Sequence, residues 1–113
     1  MNVKKLIDSG LFQIQNCGEN MDQELTGVFC CDLLSVCMGK ATEGCAWITV
    51  MTNVNTLAVA ALTEAACIIN ADGHKMDEGC LEKAKEKGIT VLASNEPVFE
   101  TGLAVYEFMK AEE

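Results

Sequence analysis

The sequence predicts an α/β fold: a three-layer α/β/α domain built on a mainly parallel five-stranded sheet. Three observations carry this. Short apolar runs alternate with stretches whose apolar residues recur every three or four positions. The resulting order is α-β-β-α-β-α-β-α-β-α, and its last three βα units call for right-handed crossovers between parallel strands. Residues 46–51, AWITVM, are apolar on both faces, as a central strand covered on both sides must be.

Residues 2–9 read as a first helix, with Val3, Leu6 and Ile7 on one side and Gly10 as its stop. Residues 11–15 alternate at Phe12 and Ile14, the pattern of a half-exposed strand. NCGEN at 16–20 is a turn, residues 21–25 fit no single period, and 26–31 form the second strand. Asp32 is placed to cap the next helix, whose apolar residues are Leu33, Leu34, Cys37 and Met38, with Gly39 at its C′ position. Thr42, Glu43 and Gly44 turn the chain into the central strand. The polar patch 52–55 then leads to a helix with Val54, Leu57, Ala58, Ala61 and Leu62 on one face.

Residues 67–71, CIINA, form a buried strand by length and β-branching. Asp77 caps the following helix, and Met76 packs on Leu81 as a hydrophobic staple. Leu81 and Ala84 face inward there, the Lys and Glu residues face water, and Gly88 ends the helix. Residues 89–93 are the last strand. Ser94 or Asn95 caps the last helix, Pro97 sits in its first turn, and Phe99, Leu103 and Tyr106 with Val98, Val105 and Met109 give it a wide apolar face.

At 113 residues the chain is expected to be a single domain, 1–113, with one core. It carries a net charge of −9, and all eight of its basic residues are lysines. Lys75, Lys83, Lys85 and Lys87 are interleaved with Asp77, Glu78, Glu82 and Glu86, so no basic face forms and nucleic acid is not an expected partner. No apolar stretch is long enough for a membrane span and no signal core follows Lys4 and Lys5, so a cytoplasmic protein is the expectation. The seven cysteines are odd in number and contain no CxxC, which disfavours a disulfide framework. They read as reduced thiols of the core. A metal or redox site built on Cys30, Cys31, Cys37 and Cys45 is the alternative, opposed by the fact that adjacent strand residues point to opposite faces.

Polar side chains gather at the carboxyl ends of the strands, where open α/β sheets bind ligands. Asp32 and Ser35 follow the second strand, Thr52, Asn53 and Asn55 the third, Asn70, Asp72 and His74 the fourth, and Ser94, Asn95 and Glu96 the fifth. Together they outline a small-ligand cleft, with Asp32, Ser35, Thr52, Asn53, Asn55, Asn70 and Asn95 as its candidate residues. Several are equally explained as helix caps or turn residues. The chain has no GxSxG, HExxH, GxGxxG or GxxxxGK[ST], so no catalytic residue, metal ligand or cofactor is assigned. An enzyme of a small metabolite using Asp32, Asn53, Asn55 and His74 stays open as an alternative.

Asp22-Gln23-Glu24-Leu25-Thr26-Gly27-Val28, Cys31-Asp32-Leu33-Leu34-Ser35, Met38-Gly39, Gly44-Cys45-Ala46-Trp47-Ile48-Thr49, Met51, Asn53 and Asn55 resemble a DRTGG domain. Asp22, Thr26 and Gly27 stand for the naming motif, with an insertion after Asp22, no Arg, and Val28 in place of the second Gly. The resemblance implies a fold similar to the N-terminal domain of HPr kinase/phosphorylase and of Mur ligases. It also implies a non-catalytic regulatory or dimerisation module, here a stand-alone one, of a kind found beside paired CBS domains in regulated pyrophosphatases. A homodimer is expected, for which Leu11, Phe12, Ile14, Met21, Val28 and Phe29 supply more apolar surface than a peripheral strand pair needs.

Overall fold

The computed structural model describes residues 1–112. Its elements follow the expected order: α1 (Val3–Asp8), β1 (Gln13–Asn16), β2 (Gly27–Cys30), α2 (Leu34–Lys40), β3 (Cys45–Thr49), α3 (Val54–Thr63), β4 (Cys67–Asn70), α4 (Glu78–Lys87), β5 (Val91–Ala93) and α5 (Val98–Ala111). The five strands lie in the order β1-β5-β4-β3-β2, parallel except for β1, which pairs antiparallel with β5. No helix among the described residues is long and apolar enough to cross a membrane.

The pleat divides the core into two layers. Ala46, Ile48, Cys67, Ile69 and Leu92 point to one face, where Val3 and Leu6 of α1 and Val105 of α5 meet them. Cys45, Trp47, Ile68 and Val91 point to the other, against Cys37 of α2, Leu57 and Ala60 of α3, and Cys80 and Ala84 of α4. Because β2, β3, β4 and β5 are neighbours in sequence order, the three crossover helices fall on one face, as right-handed connections require. Trp47 is fully buried in that layer, and its Nε1 donates to the Cys31 carbonyl at 3.0 Å.

Helix ends follow local chemistry, with corrections. Asn2, Asn53 and Asp77 cap α1, α3 and α4 through their side-chain oxygens, and Gly88 ends α4 at φ 68°. Met76 and Leu81 share the core layer beneath α4, as a staple places them. Asp32 is not the cap of α2: that position is Leu33, with no side-chain bond, because the Asp32 carboxylate turns to β3 instead. Gly39 does not stop α2, which runs on to Lys40 and is capped at Ala41. Pro97, not Ser94 or Asn95, is the N-cap of α5, since Ser94 Oγ already accepts from the Glu96 N–H and the Thr101 hydroxyl.

Two helix faces also differ from expectation. In α3 the buried residues are Thr56, Leu57, Val59 and Ala60, while Val54 and Leu62 are 51% and 67% exposed. In α5 it is Thr101, Gly102 and Val105 that face the sheet, leaving Phe99, Leu103 and Tyr106 outside. On α5 a glycine goes inward because the helix lies close to the sheet: a Cβ on Gly102 would stand 2.9 Å from Cys30 Sγ. Of the N-terminal apolar residues, Phe12, Met21 and Val28 pack on the α1/α5 layer and Phe29 on the other, so only Leu11 and Ile14 are left exposed.

Segment 17–24 closes the amino edge of the sheet. Gly18 N–H donates to Thr90 Oγ1 at 3.0 Å, Glu19 N–H to the Gly88 carbonyl at 3.0 Å, and Asn20 Nδ2 to the Ala66 carbonyl at 2.8 Å. A Cβ at Gly18 would lie 2.3 Å from the Gly88 carbonyl oxygen and 2.6 Å from Thr90 N, so only glycine fits this approach. A Cβ at Gly27 meets nothing within 4 Å. Gly18→Ala is therefore expected to lower stability by about 1–3 kcal/mol, and Gly27→Ala to leave it within about 0.5 kcal/mol. Urea denaturation of the two variants checks this, and equal midpoints would refute the close approach.

Candidate functional site

The carboxyl edge of the sheet is held by a polar chain that crosses four of its strands. Gln15 of β1 donates through Nε2 to Asn70 Oδ1 at 3.0 Å and to the Leu92 carbonyl of β5 at 2.9 Å. Its Oε1 accepts from the Met76 N–H at 2.8 Å. Asn70, fully buried at the end of β4, donates to the carbonyls of Thr49 at 3.3 Å and Met51 at 3.0 Å. The Thr49 hydroxyl of β3, also buried, donates to Asp32 Oδ1 at 2.7 Å, and the same oxygen accepts from the Val50 N–H at 2.9 Å. No buried side-chain nitrogen or oxygen among the described residues lacks a partner.

The candidate residues divide on this edge. Asp32 and Asn70 belong to the polar chain, and Asn53 Oδ1 accepts from the Asn55 and Thr56 N–H groups as the α3 cap. Ser35, Asn55 and Asn95 are exposed and Thr52 is half-buried. His74 lies exposed in the loop after β4. The loops leaving β4 and β5 turn to opposite faces, the arrangement that opens a ligand crevice in doubly wound sheets. Here they are joined by Asp72 N–H to the Glu96 carbonyl at 2.7 Å, Gly73 N–H to the Ser94 carbonyl at 3.0 Å and Ser94 N–H to the Asn70 carbonyl at 2.8 Å. The crevice is thus filled with backbone. Gln15 and Thr49 escaped the sequence reading; the only signal was a polar residue inside each apolar run.

Of the surface cavities around the sheet three stand out among the described residues, and none of these is lined by Asp32, Ser35, Thr52, Asn53, Asn55 or Asn70. One, of about 290 Å³, lies beside the polar chain, between Gly10–Gln13 and Ala93–Glu96, with Asn95 in its wall. A second, of about 440 Å³, sits at the opposite, amino edge, among Asn20, Gln23, Glu43, Glu64 and Lys87. The third, of about 230 Å³, is apolar and runs between α5 and β2, lined by Val28, Cys30, Phe99, Gly102, Leu103 and Tyr106.

The motif residues are far from Asp32. Thr26 fastens the start of β2 to the turn before β3, its hydroxyl donating to the Glu43 carbonyl at 2.7 Å and its N–H to the Gly44 carbonyl at 2.9 Å. Asp22 is exposed, and Gly27 opens β2.

No protein-family model matches the chain, and no curated protein matches it in sequence. A solved structure does match in fold: the CBS and DRTGG domains of the regulatory region of Clostridium perfringens pyrophosphatase, complexed with its activator diadenosine tetraphosphate. The TM-score is 0.65 at 18% identity, over 88% of this chain and 43% of that one. The fold is DRTGG-like. The likeness lies in the path of the backbone, and the chain spans less than half of that regulatory region.

The thiols of this DRTGG-like fold are all free. Cys37, Cys45, Cys67 and Cys80 are buried, Cys31 is half-buried, and Cys17 and Cys30 are exposed. Cys30 stands against α5, while Cys31 packs in the opposite layer. No group of three or more His, Cys, Asp or Glu among the described residues could hold a metal ion. Burial pushes the Cys67 thiol up to about 12, and burial with a hydrogen bond to Cys31 does the same to Cys37.

Two outcomes follow. Asp32→Ala should cost about 1–3 kcal/mol, because it strips the buried Thr49 hydroxyl of its acceptor, whereas Asp32→Asn keeps that acceptor and should cost less; equal urea midpoints for the two would count against the polar chain. The thiols set an alkaline limit. An unfolded thiol ionises near 9.0, but Cys37 and Cys67 stay protonated in the fold to about 12. Stability from this source is full below about pH 9 and is lost as pH rises towards 12. Urea midpoints should fall across that window, and less so in Cys67→Ala.

Proposed function

We propose that this chain is a non-catalytic regulatory module that pairs with a second copy of itself and takes a small ligand at the carboxyl ends of its strands. The observation that carries the pairing is the outer face of α5. Phe99, Leu103 and Tyr106 are 69%, 40% and 52% exposed, and they adjoin the apolar cavity above β2. A soluble domain keeps such a continuous apolar face small unless it is covered. This surface takes the place of most of the N-terminal apolar residues as the pairing face, since Phe12, Met21, Val28 and Phe29 pack against the core layers.

The ligand half rests on two supports. The polar cavity beside Asn95 opens next to the edge where candidate residues collect. The structural neighbour is a regulatory region bound to a nucleotide activator. The exposed Ser35, Asn55 and Asn95 and the half-buried Thr52 remain available to a ligand, while Asp32, Asn53 and Asn70 shape the edge. With seven free thiols, most of them shielded, the protein fits a reducing cytoplasm.

Sedimentation equilibrium at micromolar concentration is expected to give a mass twice that of the chain. A thermal-shift series with nucleotides and other small metabolites is expected to find a ligand that raises the melting temperature, with the rise reduced in Asn95→Ala. A monomer at every concentration removes the pairing, and a flat series removes the ligand.

A further inference from the structure

The two edges of the sheet are treated differently. β1 is polar, QIQN, and its pairing with β5 is interrupted by a bulge between Ile14 and Asn16. Those are devices that discourage further strand pairing. β2, GVFC, carries no charge, no proline and no bulge. In a parallel ladder alternate residues aim their backbone groups to opposite sides. Thr26 N–H donates to Gly44 O, so Val28 and Cys30 continue towards β3, and Gly27 and Phe29 present N–H and C=O groups to the open side.

The apolar cavity borders this same edge, between β2 and the outer face of α5, and no charged side chain lines it. On a chain of net charge −9, a surface lined by no carboxylate, with the Lys110 ammonium 5.4 Å from the Tyr106 ring centroid, is where a second, equally acidic copy can approach without repulsion.

We propose that β2 pairs antiparallel with β2 of a second copy about a twofold axis normal to the sheet, making one sheet of ten strands with the two α5 helices packed side by side above it. This rests on the self-association reading. The spacing supports it. α5 lies over β2 and β3, and neighbouring strands are about 4.8 Å apart. A helix centred between β2 and β3 would then stand about 10 Å from its symmetry mate, the distance at which helices pack. Pairing the edges thus brings Phe99, Leu103 and Tyr106 of both copies into contact. A foreign strand would satisfy the edge and leave these side chains in water.

The test combines mass and amide exchange. Leu103→Glu puts a charge in the helix contact, and Gly27→Lys puts one on the open edge, where a Cβ has free space. Each should raise the dimer dissociation constant about thirtyfold or more, with far-ultraviolet circular dichroism and a cooperative melt confirming the fold. Tyr106→Glu serves if Leu103→Glu fails to fold. The Gly27 and Phe29 amides of the wild type should exchange slowly in the dimer and quickly on dilution to monomer. A wild-type dimer that none of these variants weakens places the interface elsewhere and overturns this inference while leaving self-association intact. A helix variant that dissociates the dimer while Gly27 and Phe29 exchange fast in it overturns the strand pairing. A wild type that is monomeric throughout overturns both.

Discussion

The fold depends on keeping one buried amide satisfied. Asn70 is the last residue of a strand buried on both faces, and its side chain has no access to water. Unpaired, such a group costs as much as the loss of a well-made hydrogen bond, or more. Each polar end therefore needs a partner, and the partners come from distant sequence: Gln15 from the antiparallel edge, and the Thr49 and Met51 carbonyls from the central strand. Asp32 then holds Thr49. One amide fixes the position of β1, the exit from β3 and, through Gln15 Oε1, the start of the α4 loop at Met76.

This economy explains why much of the fold was legible in the sequence and the candidate site was less so. Strand runs and helix order follow from apolar period, which acts locally, and Asn53, Asp77 and Gly88 act within a turn of their own position. Asp32 satisfies the same local rule for a cap. It is diverted because the buried Thr49 hydroxyl and the Val50 N–H need an acceptor more than the exposed start of a seven-residue helix does. Ser94 is diverted likewise, by Thr101 reaching it from the first turns of α5. A contact between residues far apart in the chain leaves no trace in spacing. The strand-end polar residues were gathered correctly at one edge, but which would be consumed by the fold depended on partners that only the tertiary structure supplies.

The helix faces failed for a related reason. Period identifies an amphipathic helix but not which of two apolar stripes approaches the sheet. On α5 the sheet takes the stripe with the small residue Gly102, because close packing gains more from backbone approach than from the size of the side chain; on α3 it takes Leu57, Val59 and Ala60 and leaves Ala58 and Ala61 outside. On α5 the larger stripe is then displaced to the outside. On α3 Val54 and Leu62 are exposed at opposite ends of the helix, which is ordinary for a protein surface. On α5 the displacement leaves Phe99, Leu103 and Tyr106 in a row beside a strand edge.

The layer arrangement makes that row hard to avoid. With β2, β3, β4 and β5 in sequence order, all the crossover helices are committed to one face. The other must be covered by what is left, the six-residue α1 and the fourteen-residue α5. α5 lies over β2 and β3 and approaches β2 closely through Gly102, so its flank overhangs the open edge of the sheet instead of meeting another helix. A third helix on that face would have closed the layer within the chain. In its absence the apolar flank and the open backbone edge lie side by side, and a neighbour that closes one is positioned to close the other.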